Sequence, residues 1–319
     1  MSDMRYRSLG SSGLMVSVVG LGANNFGRRA DLDQSRSVIE AALELGINLI
    51  DTADIYGDRG GSEEIIGLVL DGRRDDTVIA TKFGGDMGGA YGRDLGARGS
   101  RRYLRRAVDG SLRRLRTDHI DLYQYHTPDG ITPLEETLAA LDDLVKEGKV
   151  RYIGSSNLAA WEVGHADWVA RDRRLTPFIS AQNHYNLLER DPDRELVPAC
   201  RRFGVGILPY FPLASGLLTG KYRRGQPPPA GSRLAGRPDV LTEDVFDRLE
   251  ALEKFAADRG LSLLDVAIGW LSARPGVASV IAGATRPEQV RANAEAAEWS
   301  PTVDDLATID RISSPPEEA

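Results

Sequence analysis

Four ionisable residues at the ends of short apolar runs carry the chemistry open to this sequence. They are Asp51 and Tyr56 in Asp51-Thr-Ala-Asp-Ile-Tyr-Gly57, Lys82 in Thr81-Lys-Phe83, and His126 in Tyr123-Gln-Tyr-His-Thr127. A free phenol titrates near about 10, and a neighbouring ammonium favours the phenolate and lowers that value. Tyr56 therefore reads as a proton donor to a carbonyl oxygen and Lys82 as its tuner. Asp51 pairs with Lys82 to hold a desolvated charge, and the His126 imidazole orients and polarises the carbonyl.

Singly, each residue has an ordinary reading: Asp51 as a helix cap, Tyr56 as a rim aromatic, His126 as a satisfied core histidine. Lys82 resists one. Only five of the 40 basic residues are lysines (82, 146, 149, 221 and 254), and this one follows an apolar run that would strip its ammonium of water. Four such groups aimed at one mouth are less easily accidental than any one of them.

The elements that must position them follow a repeating pattern. Strands are expected at Val18–Gly22, Asn48–Asp54, Thr77–Phe83, Ile120–His126, Val150–Ser156, Phe178–His184, Gly206–Pro212 and Ala278–Ala284. Helical periodicity fills the gaps, at Asp31–Leu45, Ser62–Leu70, Ser100–Leu115, Pro133–Glu147, Leu158–Ala170, Asp193–Phe203, Glu243–Arg259, Ser262–Ala273 and Pro287–Glu298. Eight alternating units predict a parallel sheet closed into one (β/α)8 barrel, a TIM barrel spanning residues 1–319. Strand starts advance by 28 to 30 residues except after the third and seventh strands. The excess there holds Gly84–Gly92 and Gly225–Gly231, read as loops framing a cleft at the C-terminal mouth, with Phe83 and Tyr91 either lining it or packing a loop. Tyr6–Leu9 and Leu14–Ser17 predict a hairpin plugging the opposite end. The tail from Ser313 is expected to fray.

Composition excludes several classes. With 40 Lys+Arg against 47 Asp+Glu the net charge is −7, so a nucleic-acid partner is not expected. One cysteine, Cys200, and four scattered histidines offer no metal site. No signal-like segment and no apolar run of about 18 residues is seen, which predicts a cytoplasmic protein with no membrane partner. Gly20-Leu-Gly22-Ala-Asn-Asn25 lacks the third glycine of a dinucleotide fingerprint, and Gly216-Leu-Leu-Thr-Gly220-Lys221-Tyr222 lacks the Ser or Thr of a phosphate loop. Nothing in the pattern specifies an oligomeric state.

Asp51-x-Ala53-x-x-Tyr56-Gly57, Thr81-Lys82, His126, Ile153-Gly-Ser-Ser-Asn157, Gln182-Asn183, Tyr210 to Lys221 and Gly283-Ala-Thr-Arg-Pro-Glu-Gln289 resemble, in order, the landmarks of the aldo-keto reductase superfamily. The resemblance runs from about Tyr6 to Glu298. It implies an NADPH-dependent oxidoreductase that reduces aldehydes or ketones, with a small-molecule carbonyl substrate, no metal, and Tyr56, Lys82, Asp51 and His126 as catalytic residues. The cofactor NADPH/NADP+ would lie across the mouth. Ser156, Asn157 and Gln182 resemble the residues that bind the nicotinamide carboxamide, and Tyr210 the aromatic on which that ring stacks. Leu213 to Lys221, with Gly216 and Gly220, resembles the pyrophosphate loop. Thr285 and Arg286 resemble the pair at the adenosine 2′-phosphate, favouring NADPH over NADH, with Gly283 also a cofactor-binding position and Gln289 and Asn293 near the adenine. Phe211 stands where Ser is common, and Ala292 where Glu is common. Substrate choice falls to Asn24, Asn25 and the two long loops.

Two other classes use the same fold. Lys82 could form a Schiff base in an aldolase-like lyase, although a paired Asp51 would hold it protonated. A nucleotide-sensing binding subunit, like the potassium-channel β subunits of this superfamily, is the third reading.

Overall fold

The computed structural model describes residues 4–314. Strands β1 (Tyr6–Ser8) and β2 (Met15–Ser17) pair antiparallel as the expected hairpin. The next eight are β3 (Val19–Gly22), β4 (Leu49–Asp51), β5 (Val78–Phe83), β6 (Ile120–Tyr125), β7 (Val150–Ser156), β8 (Phe178–Gln182), β9 (Gly206–Ile207) and β10 (Val280–Gly283). They form one parallel sheet in the order β10-β3-β4-β5-β6-β7-β8-β9. Ile207 bridges to Val277, Ala278 N–H donates to the Ile207 carbonyl, and Ile281 N–H to that of Pro209. Those bonds close the sheet into the (β/α)8 barrel.

Among the described residues, ten helices surround it: α1 (Leu32–Glu44), α2 (Tyr56–Val69), α3 (Arg101–Leu115), α4 (Leu134–Lys146), α5 (Ala160–Arg173), α6 (Leu196–Phe203), α7 (Glu243–Ala257), α8 (Leu263–Ala273), α9 (Pro287–Ala296) and α10 (Val303–Ser313). Asp31 caps α1, its carboxylate accepting from Gln34 N–H while Gln34 reaches back, and Ser262 with Asp265 does the same for α8. None of the described helices is long and apolar enough to cross a membrane.

Hydrophobic burial divides into two layers. Inside the barrel, Leu9 and Val16 of the hairpin pack with Leu49, Val78, Ala80, Leu122 and Leu208, so the hairpin stoppers the N-terminal end. Each such leucine or valine contributes about 1.5–3 kcal/mol on burial. Between sheet and helices lies the larger core, including Phe83, Tyr123, Tyr185 and Trp270. With the floor plugged by carbon, polar groups collect at the other mouth.

Differences from expectation have local causes. The β4 strand stops at Asp51 rather than Asp54, because the chain then bends and Asp54 N–H donates to the Lys82 carbonyl. Only Gly206–Ile207 of the seventh expected strand pairs regularly, since Pro209 and Pro212 carry no N–H. Helix α10 was not foreseen. It includes Ser313, which is buried and accepts from Arg190, so the expected fraying does not begin there. Residues 315–319 of that tail lie outside the described residues.

Candidate active site

Lys82 occupies the middle of the barrel mouth and is fully buried. Its ammonium donates to Asp51 Oδ1 at 2.6 Å and to the Thr52 carbonyl at 2.9 Å. Burial works to lower the lysine's pKa, yet Asp51 and Tyr56 together outweigh it and hold the group above its ordinary range. Asp51 is held on its other oxygen, where Oδ2 accepts from Gln182 Nε2 at 2.8 Å and Gln124 Nε2 at 3.2 Å. Two amides and an ammonium thus satisfy a carboxylate that water no longer reaches.

Tyr56 begins α2 beside this pair, its ring centroid 5.1 Å from the Lys82 nitrogen. The four residues after it, Gly57 to Gly60, all have left-handed φ. A Cβ on Gly57 would lie 2.4 Å from Ser62 N, so only glycine fits this turn. The sequence reading had Lys82 bring the phenol below its usual value. Instead burial dominates and raises it, with Lys82 pulling the other way and Asp51 adding to the rise. His126 follows β6, edge-on to Tyr56 with ring centroids 5.9 Å apart. Burial, helped by Lys82, pushes its imidazole down to about 3, so it is neutral at physiological pH.

The polar rim lies on β7, β8 and the segment after β9. Asn157, in left-handed conformation, donates to the His126 carbonyl at 2.9 Å and to Ser156 Oγ at 3.1 Å, while its Oδ1 accepts from Tyr210 OH at 2.8 Å. Asn157 therefore ties the Tyr210 ring to the His126 backbone. Gln182 spends its amide N–H on Asp51, which leaves Oε1 as its available atom.

A cleft of about 790 Å³ opens from Asp51, Tyr56 and His126 and runs past Gln182, Tyr210 and Leu213 to Thr285 and Asn293. Gly216, Lys221, Gly283, Arg286 and Gln289 also line it, so all these expected positions except Lys82, buried beneath, share one wall. A Cβ on Gly216, at φ 97°, would come within 2.7 Å of Lys221 Nζ. The Gln289 side chain accepts from Thr285 N–H at 2.8 Å, fixing the start of α9 where Arg286 stands.

A family model described as the aldo/keto reductase family matches residues 18–314. The chain belongs to that family. Among its relatives are an uncharacterized oxidoreductase of Bacillus subtilis, 38% identical over 93% of this chain and 92% of its own, and the L-glyceraldehyde 3-phosphate reductase of Escherichia coli K12, 37% identical over 92% and 88%. A probable voltage-gated potassium channel β subunit of rice is 36% identical over 93% and 92%.

Three features of this aldo/keto reductase escape the sequence reading. Arg29 and Arg233 line the cleft, and neither has a carboxylate partner among the described residues. Arg233 donates to Asn25 Oδ1 and lies over Phe211, and only its place in the irregular Pro229–Arg233 segment hid it. Asp54 is completely buried, and neither of its carboxyl oxygens is hydrogen-bonded among the described residues. Burial first, then the charge of Glu63, drives its pKa well up, which favours the protonated acid behind the site. Finally, the Gly84–Gly92 loop does not line this cleft. Tyr91 and Met87 are buried, Arg114 donates to Tyr91 OH, and Phe83 stacks on Tyr125, so both aromatics are packing residues.

Proposed function

We propose that this family member is an NADPH-dependent carbonyl reductase of the cytoplasm, turning small aldehydes or ketones into alcohols with Tyr56 as proton donor. One observation carries the reading: a dry floor of Asp51, Lys82, Tyr56 and His126 opens into a cleft walled by Arg29, Lys221, Arg233 and Arg286, cations without carboxylate partners among the described residues. A polyanionic dinucleotide suits such a wall, because unpaired guanidinia facing one another need an anion between them. The donor set fits the rest of the molecule: a flat Tyr210 ring for a nicotinamide, Ser156 Oγ and Gln182 Oε1 for its carboxamide, and the α9 N-terminus beside Arg286 for a 2′-phosphate.

NADPH, when bound, supplies the hydride for the carbonyl carbon. The neutral His126 imidazole donates one N–H to the carbonyl oxygen and sets its direction. Burial keeps the Tyr56 phenol protonated until that oxygen needs a proton, and the Lys82 ammonium then stabilises the phenolate left behind. Asp51 keeps the ammonium in place. The same pairing argues against the Schiff-base lyase, which needs a neutral amine. The likeness to potassium channel β subunits sustains a second reading, a nucleotide-binding subunit with little turnover.

Tyr56→Phe separates these. Reduction of reactive aldehydes, followed at the nicotinamide absorbance, should fall about 100-fold to 10,000-fold while NADPH affinity stays within about twofold. A wild-type rate in this variant would remove Tyr56 as the donor. Tight NADPH binding without measurable turnover in the wild type would favour the binding subunit.

A further inference from the structure

The face of Tyr210 turned away from the cleft is covered by a second ring. His184 lies parallel to it, with centroids 5.4 Å apart and planes inclined by 5°, and Phe211 stands edge-on to both. The two backbones are bridged as well, Tyr210 N–H donating to the Asn183 carbonyl.

The imidazole's orientation is fixed by its neighbours. Asn186 is buried, and its Oδ1 accepts from the N–H groups of Leu188 and Glu189, which forces its Nδ2 to the opposite side. That Nδ2 donates to the Phe211 carbonyl at 2.9 Å and meets His184 Nε2 at 3.2 Å. Because the amide nitrogen can only donate, Nε2 must accept, and the ring proton sits on Nδ1, which faces Glu189 Oε2 at 3.8 Å. Burial also favours the uncharged ring, with Glu189 opposing. Bordering both rings is a separate pocket of about 290 Å³, lined by His184, Glu189, Asp191 and Glu195 along with Asn157 and Tyr210.

We propose that His184 is a positioning residue of the nicotinamide shelf, a neutral aromatic backing that holds the Tyr210 ring at its working angle and keeps positive charge off its rear face. This rests on the reading that Tyr210 carries the nicotinamide. Two consequences follow from the stack. Without the backing ring, the pocket that already borders Tyr210 widens on that side and the ring can tilt into it, so both oxidation states of the cofactor lose their platform. With a cation in place of the imidazole, the oxidised ring, itself positive, faces a like charge through the phenol, whereas the neutral reduced ring does not.

The test measures dissociation constants of NADPH, by its fluorescence, and of NADP+, by displacement, for wild type, His184→Ala, His184→Phe and His184→Arg. His184→Ala should weaken both forms about threefold to tenfold, and His184→Phe should restore both to within about twofold of wild type. His184→Arg, whose flat guanidinium can stack in the same place, should weaken NADP+ relative to NADPH by roughly threefold to tenfold. Wild-type constants in the Ala variant, or an unchanged NADP+ to NADPH ratio in the Arg variant, would overturn the proposal while leaving the cofactor reading intact. Absence of NADPH binding to the wild-type protein would instead defeat the cofactor reading, and this inference with it.

Discussion

Two aspartates three residues apart, Asp51 and Asp54, are both buried and meet opposite fates. Asp51 ends β4 facing the barrel mouth, where Lys82, Gln124 and Gln182 supply donors to both oxygens. Asp54 turns toward the layer between sheet and helices, its carboxyl oxygens accept no hydrogen bond from the described residues, and it lies near the Glu63 carboxylate, which is itself held by Thr81 and Arg114. The first is locked in an ion pair with Lys82, and burial drives the second toward its protonated form. Residue type and burial are the same in both, so the arrangement of donors decides the charge.

The sharpest way to break this contrast is Asp51→Asn. It strands the Lys82 ammonium in a dry site, so unfolding in guanidinium should show a loss of about 3 kcal/mol, with turnover down at least about 100-fold. Near-native values in both measurements would mean that Lys82 does not depend on its partner.

Asp54→Asn should act differently, and through pH. Asp54 keeps its proton in the folded chain well above the range where the unfolded chain releases it. Its contribution to stability is therefore fully present in acid, below about pH 4, and declines by about 1.4 kcal/mol per pH unit until the folded-state value is reached. The variant lacks this decline, so the wild type should lose ground to it as the pH rises above about 4. Parallel stability curves for the two proteins would place an ionised carboxylate at position 54.

A third aspartate in the same segment, Asp58, is exposed and held at φ 58°. Replacing it with glycine relieves a left-handed residue and loosens the unfolded chain, for a net gain of about 0.5 kcal/mol in thermal unfolding with turnover unchanged. A clear loss of stability would show that its side chain does more than occupy the turn.

The ion pair, the mouth and the barrel order were legible because each is announced by local pattern: an apolar β-branched run, then Lys82, or Asp51 and Tyr56 five residues apart. Arg233 was not, since Pro229 to Arg233 has no periodicity and the chain has 35 arginines from which to choose. Helix α10 was missed because its helical pattern follows Pro301 and leads into the acidic, proline-containing end. The net direction of the Tyr56 shift also eluded the sequence, which names the neighbouring ammonium but not the depth of burial that overrides it.

The order of residues by itself determined the alternation of strand and helix, hence the barrel, and with it which side chains reach one mouth. Those depend on periodicity and on the twist of parallel strands, both local properties. Only the tertiary structure decided the upward shift of Asp54, the bonds by which Asn157 ties Tyr210 to His126, the Gln182 bond to Asp51, and the ring behind Tyr210. Each of these turns on whether a donor, a void or another ring lies within a few ångströms across the fold, and distances between segments far apart in the chain are written in no single stretch of it.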